Sequence, residues 1–407
     1  MNILLCSNVP FPHGFGASVF MLTLARGMAA NGHTVHFVSP WPTESPENCL
    51  NTQSKGEAYG VPFCYVCGRT AYPRVGKLLI FYKIWIYFYG LIKLANYITK
   101  YSSSNKIDWV ITCGGTGYFL IPLWFFCRFF KIFFIQFRGE YPFFGQMIPR
   151  SKYLQFWIDQ KITYRLADGM LVATRILEDY YRPLAKKNCR FVQIPLITDT
   201  ACFDKIPQWT GNRNYITYCG HMGLNKDGVE ILIQAFSLIN LEFPEMKLKL
   251  IGTASPRELQ KQKELVQTLK IQDKVIFTGQ LLHEEVLEHL KNSRLLVLAR
   301  PNNKQAQGGF PSKVGEYLST GLPVVVTAVG EVPSYLHDGQ SAFLAEPGNV
   351  KSLADKLQQA LKEKELARTI GKYGQQLAQK HFHYQIVCSR IIDCFCSPSD
   401  NYPPHHR

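Results

Sequence analysis

Short apolar runs alternate with longer stretches of helical periodicity along this chain. In the first half, residues 3–9, 35–39, 109–113, 132–137, 170–173 and 191–194 are apolar runs of strand length, and residues 17–30 and 153–166 between them place apolar positions at helical spacing. The second half repeats the theme. Residues 215–219, 247–251, 275–278, 295–299 and 324–327 read as strands, and 228–239, 257–269, 284–292 and 313–320 as helices. Apolar strands separated by helices imply a parallel sheet covered on both faces. The expected class is therefore α/β, with two Rossmann-like doubly wound domains. Ligands of such sheets bind beyond the carboxyl ends of the strands, and two sheets facing each other make a central cleft.

A length of 407 residues suits two such cores. The boundaries expected are 1–200 for the first domain and 201–380 for the second. Residues 381–407 should form a helix packing back towards the first domain, then a frayed tail. The stretch 199–214, with Pro207 and Gly211, reads as the linker.

Charge is uneven between the halves. Residues 1–200 carry 21 Lys+Arg against 10 Asp+Glu, a net +11, and residues 201–407 carry 24 against 20, a net +4. A basic half attracts phosphate, whether of a membrane, a phosphorylated substrate or nucleic acid. The positive charge is not gathered into tracts, which disfavours nucleic acid. Twelve cysteines are scattered, and the one C-x-x-C, Cys64 and Cys67, has no second pair to complete a metal site. They read as reduced thiols of a cytoplasmic protein. No cationic leader precedes the first strand, and no run of about 18 charge-free apolar residues occurs.

Three loops carry candidate chemistry. Residues 307–316, Gln-Gly-Gly-Phe-Pro-Ser-Lys-Val-Gly-Glu, lie between a strand and a helix starting near Ser312. Glycines there admit a ligand close to the backbone, and a helix N-terminus favours an anion. Glu316 shares the helix face of Ser312 and suits bidentate bonding to sugar hydroxyls. Residues 219–228, Cys-Gly-His-Met-Gly-Leu-Asn-Lys-Asp-Gly, follow the first strand of the second half, where a phosphate turn belongs, and Lys226 supplies a point charge for a diphosphate. Residues 12–18, with His13, Gly14 and Gly16, occupy the equivalent place in the first half. The competing reading of each is an ordinary glycine-rich turn with solvated side chains.

Together these loops resemble glycosyltransferase family 4, the glycosyl transferases group 1, which have the GT-B fold. Residues 218–228 resemble its Y-x-G-x(5)-K-x-G turn, and 309–327 its G-F-P-x-K-x-x-E-Y-L-x-x-G-x-P-V-V-x-T donor segment. The resemblance implies that Glu316 holds the donor ribose, Lys226 neutralises the donor diphosphate and Gly16 approaches the same phosphates. It places Phe310, Pro311 and Ser312 around the donor sugar, with Gly14, Gly220, His221 and Gly309 on the same donor side. It implies a nucleotide diphosphate sugar as substrate and retention of anomeric configuration. Two departures stand out. Gly308 replaces the first of two glutamates spaced eight apart, and His221 replaces an arginine. No Asp-X-Asp occurs, so protein cations and not a metal are expected to stabilise the leaving group, and no cofactor is expected.

The acceptor side is expected in the first half. Arg138-Gly139-Glu140 follows a strand, so Glu140 is placed to take a proton from an acceptor hydroxyl and Arg138 to hold an acceptor phosphate, with His13 a further acid–base candidate. The alternative is an Arg–Glu pair that orders a loop. Residues 78–101 and 124–137 mix aromatics with sparse Lys and Arg, the composition of a headgroup boundary. They suggest a lipid-linked saccharide or other envelope precursor as acceptor, and a cytoplasmic protein peripheral on an anionic membrane surface. The alternative is buried aromatic helices over the sheet. A sugar-nucleotide epimerase of the same fold and a non-catalytic sugar-nucleotide-binding subunit are the rival functions.

Overall fold

The computed structural model describes residues 1–14, 16–47, 49–74, 79–142, 152–207, 211, 213–223 and 227–397. The chain divides into two compact units, Met1–Ile197 with the chain from Tyr384 onward, and Thr198–His383.

The first unit holds an eight-stranded sheet built from β1 (Asn2–Cys6), β2 (Thr34–Ser39), β3 (Lys55–Ala58), β4 (Val61–Tyr65), β5 (Trp109–Cys113), β6 (Phe133–Arg138), β7 (Gly169–Val172) and β8 (Arg190–Gln193), in the order β3-β4-β2-β1-β5-β6-β7-β8. Every pairing is parallel except β3 with β4. The strand order reverses at β1, so the carboxyl ends of β1 and β5 flank a switch point, the usual ligand position of such sheets. Helices α1 (Gly16–Ala30), α2 (Leu79–Ser104), α3 (Gly117–Phe129), α4 (Tyr153–Lys161) and α5 (Arg175–Tyr181) cover it.

In this first sheet, β3, β4 and the helix over 153–166 differ from the sequence-based expectation. β3 is polar, and β4 contains Pro62, which can pair only where its missing N–H does no harm, so this edge hairpin lacks the apolar signature. Residues 153–166 form α4 and then a separate 3-10 turn (Thr163–Leu166), because Ile162 leaves helical geometry at φ −123°.

The second unit is a six-stranded, wholly parallel sheet of β9 (Tyr215–Cys219), β10 (Lys247–Ile251), β11 (Val275–Gly279), β12 (Leu295–Leu298), β13 (Val324–Thr327) and β14 (Phe343–Ala345), in the order β11-β10-β9-β12-β13-β14. Its switch point lies between β9 and β12. The flanking helices are α6 (Val229–Ile239), α7 (Pro256–Thr268), α8 (His283–Lys291), α9 (Lys304–Gly308), α10 (Lys313–Ser319), α11 (Val332–Tyr335), α12 (Val350–Lys362) and α13 (Lys364–His381). β14 was not anticipated; three residues are too short for a periodic signal. Nor was α9, which interrupts the loop expected after β12 and is capped by Asn303, whose side chain accepts from the Ala306 N–H at 2.8 Å.

The last helix, α14 (Tyr384–Cys396), belongs to the first unit. Val387, Cys388, Ile391 and Phe395 form its buried face. Phe395 meets Trp109 and Phe133 at centroid distances of 5.8 and 5.6 Å. Arg190 Nη1 donates to the carbonyls of Phe395 (2.9 Å) and Ser397 (3.0 Å), satisfying groups a helix end otherwise leaves orphaned. On α1, Gly27 makes room for this contact, since a Cβ there would collide with Cys388 Sγ and crowd the Tyr384 carbonyl.

That close approach is testable. Gly27→Leu should destabilise the protein by about 1–3 kcal/mol through overpacking, seen as a lowered thermal or urea midpoint. An unchanged midpoint would contradict the packing of α14 on α1.

Candidate functional site

At the switch point of the second unit, the strand ends converge on one buried carboxylate. Asp227 follows the turn after β9. Its Oδ1 accepts from Arg300 Nε at 3.2 Å, and its Oδ2 accepts from the Lys313 ammonium and, at 2.8 Å, from the Tyr218 hydroxyl. Arg300 sits just beyond β12, and Lys313 opens α10. Burial alone would raise the Asp227 carboxyl, but Lys313 and Arg300 hold it well below the usual carboxylate range. The cluster also ties down backbone. Arg300 Nη1 donates to the Gly309 carbonyl at 2.9 Å, and the Thr327 hydroxyl donates to the Arg300 carbonyl at 2.8 Å. The Tyr218 hydroxyl lies 2.9 Å from the His221 carbonyl, and the Cys219 N–H donates to the Tyr317 hydroxyl at 2.7 Å.

Two glycines are required by this geometry. Gly228, at φ +65°, starts α6, and a Cβ there would collide with the Ala299 carbonyl. Gly220, at φ +157°, rides directly over the Lys313 side chain, so a Cβ would overlap Lys313 Cε.

Glu316 lies one turn along α10, half-buried. Desolvation pushes its carboxyl above the usual range, against the pull of His283 and Lys313. Among the described residues no hydrogen bond to its carboxylate is formed, which is unusual for a desolvated acid. Phe310 is buried against Tyr335 and Phe382, at 5.4 and 6.1 Å between centroids, and this anchors the Gly309–Pro311 backbone. Ser312 is exposed, His221 is exposed, and Gly308 ends α9. Lys226, the expected diphosphate cation, lies outside the described residues.

In the first unit, the loop after β1 is held by a buried asparagine. Asn51 accepts from the His13 N–H at 2.9 Å and donates to the His13 carbonyl at 2.8 Å. Asn51 N–H in turn donates to the buried Glu44 carboxylate at 3.1 Å. His13 is exposed, Gly14 closes against Ser18 and Gly16 opens α1 with free space where a Cβ would be. At the end of β6, Arg138 is 8% exposed. Its Nη2 donates to Gln136 Oε1 at 2.8 Å, and its guanidinium stacks on Tyr164 at 4.9 Å. Arg138 thus lies behind the loop that carries Glu140, whose carbonyl accepts from the Tyr181 hydroxyl at 2.9 Å.

Of the donor-side residues expected, Gly220, His221, Gly309, Phe310, Pro311, Ser312 and Glu316 all fall on loops and the helix start at one end of the second sheet. His13, Gly14, Gly16, Arg138 and Glu140 fall at carboxyl ends of first-sheet strands. Sequence reasoning passed over Asp227, Arg300, Tyr218 and Asn51. Lys313 was visible only as a letter inside a motif. No group of three His, Cys, Asp or Glu among the described residues is placed to hold a metal.

Residues 201–377, nearly the whole second unit, match the family Glycosyl transferases group 1. The chain is 30% identical over 162 residues to N-acetyl-alpha-D-glucosaminyl L-malate synthase of Bacillus anthracis, a stretch that covers 40% of each protein. It is 26% identical over 250 residues to mannosylfructose-phosphate synthase of Agrobacterium fabrum, covering 57% of this chain and 53% of that one. The matches thus span about half or less of these relatives. Solved structures share the fold over the whole length. Sucrose-phosphate synthase from Thermosynechococcus elongatus superposes with a TM-score of 0.69 at 19% identity, covering 97% of this chain and 98% of that one. HepE of Anabaena, in complex with UDP and glucose, gives 0.67 at 14% identity, with 97% and 99% covered. The fold is GT-B.

The state of Glu316 gives a prediction in the absence of ligand. A carboxyl whose folded pKa is raised favours folding below its unfolded value, near 4.3, and loses that advantage as pH rises through the folded value. At pH 7, above the unfolded value, Glu316 therefore weighs against folding. Glu316→Gln should raise the ligand-free melting temperature at pH 7, and the gain should shrink towards pH 4. A lower melting temperature at pH 7 would contradict the desolvated placement.

Proposed function

We propose that this chain is a glycosyltransferase that moves a sugar from a nucleotide diphosphate sugar to an acceptor hydroxyl, with retention and without a metal. The observation that carries the reading is the pairing, at one switch point, of the Lys313 side chain beneath the Gly220 turn with the desolvated Glu316 carboxylate, which has no hydrogen-bond partner among the described residues. Glu316 is suited to a vicinal diol such as a ribose, and Lys313, Lys226 and His221 to the diphosphate. As the glycosyl–oxygen bond breaks, negative charge grows on the leaving diphosphate. Cations and N–H groups already in place lower that barrier because nothing need reorganise. HepE, which shares the fold, is described with UDP, so uridine donors are the first to test. Gly308 and His221 leave the identity of the donor sugar open to a pocket unlike that of the family pattern.

On the acceptor side, Glu140 and His13 are the acid–base candidates. Arg138 acts from beneath the loop, where its bond to Gln136 and its stacking on Tyr164 favour an ordering role over direct capture of a phosphate.

The acceptor reading rests on α2 and α3. α2 carries Lys83, Lys93 and Lys100 and no acid, and α3 carries Arg128 and no acid. Their outer faces expose Phe81 (71%), Ile84, Trp85, Phe88, Ile92, Phe125 and Phe129 (80%). Apolar patches of this kind are rare on monomers and mark interaction surfaces. Aromatics with basic residues and no acids fit an anionic bilayer surface, and so a lipid-linked acceptor. No helix among the described residues is long and apolar enough to cross a membrane.

A thermal-shift panel of UDP-, GDP- and ADP-sugars should give a rise with one base, since bound ligand stabilises by mass action. Glu316→Ala should abolish that rise and reduce transfer at least about 100-fold. Tight donor binding by the wild type without turnover on any acceptor would favour the non-catalytic binding subunit. For the membrane face, the wild type should sediment with phosphatidylglycerol vesicles at low salt and less at high salt. Trp85→Glu with Phe88→Glu should remain in the supernatant. Wild type that stays soluble with these vesicles would remove the membrane reading.

A further inference from the structure

We propose that Asp227 is a positioning residue of the donor site, which holds Lys313 beneath the Gly220 turn as a further cation for the donor diphosphate and, through Arg300, fixes the Gly309 carbonyl. This rests on the nucleotide-sugar reading of the same site.

Three features favour it over a purely structural ion cluster. The first is exposure. The Asp227 side chain is fully buried and that of Arg300 nearly so, whereas that of Lys313 is 22% exposed. One cation of the cluster therefore reaches solvent, and it does so under the turn expected to face phosphate. The second is charge. One carboxylate faces two cations, which leaves the three groups with a surplus positive charge. A desolvated surplus is costly until an anion completes it. Glu316, three residues along α10, feels the field of Lys313, but among the described residues no hydrogen bond joins the two.

The third feature is connectivity. Tyr218 lies near the end of β9, Arg300 follows β12 and Lys313 opens α10, and Asp227 bonds to all three. Gly220 has no side chain to keep Lys313 from the turn backbone. A free lysine would lose side-chain freedom when a ligand immobilised it. Held by Asp227, Lys313 is already ordered before the donor arrives.

The test separates phosphate recognition from folding. Calorimetry with UDP, GDP and ADP identifies the tightest binder for the wild type, which is then compared with its own nucleoside. Asp227→Asn preserves shape and removes the charge. It should weaken the diphosphate at least about tenfold while changing nucleoside affinity less than about twofold, a loss of at least about fivefold, about 1 kcal/mol, confined to the phosphates. Lys313→Gln, on a partly exposed position, should give the same phosphate-specific loss. Asp227→Asn added to Lys313→Gln should cost little more, because the two act as one unit. Diphosphate and nucleoside affinities falling in proportion, or diphosphate affinity unchanged or raised in folded variants, would overturn the proposal while leaving the donor site standing. If the wild type binds none of the three diphosphates, the donor reading falls and this inference with it.

Discussion

A carboxylate cannot be taken out of water without partners, and in this chain one buried carboxylate decides how the candidate site is assembled. Asp227 has Lys313, Arg300 and Tyr218 within hydrogen-bond reach. Each partner comes from a different segment at the carboxyl ends of adjacent strands. Satisfying the charge therefore fixes the turn after β9, the chain beyond β12 and the start of α10 against each other. The strand order makes this possible. Because β9 and β12 are neighbours across the switch point, residues 73 positions apart, Asp227 and Arg300, meet in one pocket.

The first unit uses the same principle with neutral groups. Asn51 reads both backbone polar groups of His13, and Glu44 holds the Asn51 segment from below. Gln136 and Arg138 brace the chain leaving β6. In both units the loops that offer functional side chains are irregular, yet their backbones are bonded to buried side chains of the sheet edge. Such loops present groups to a ligand without having to order first.

The aromatic helices show how one segment serves two environments. On α2, Ile86, Leu94 and Ile98 are buried, while Phe81, Trp85 and Phe88 face outward. Gly90 lets the helix approach Trp41, whose Nε1 donates to the Tyr87 carbonyl at 3.1 Å. The helix is thus packed on its sheet and still keeps an apolar outer face. The core-helix alternative describes its inner face, and the exposed outer face is what the membrane proposal rests on.

The sequence by itself determined the α/β class, most strand positions and the three glycine-rich loops. Those properties are local: apolar runs, helical spacing, and glycines where the backbone must turn or be approached. Glu316 was legible because its motif sits on one short segment. The edge hairpin β3–β4, with Pro62 and polar residues, left no such trace. Tertiary structure alone decided which ionisable groups share a pocket. Nothing near Asp227 in sequence announces Arg300 or Lys313, and Asn51 lies 38 residues from the backbone it clamps. Burial changes the meaning of these residues. The same Asp, Arg and Lys on the surface would be solvated and interchangeable, but removed from water they must find one another.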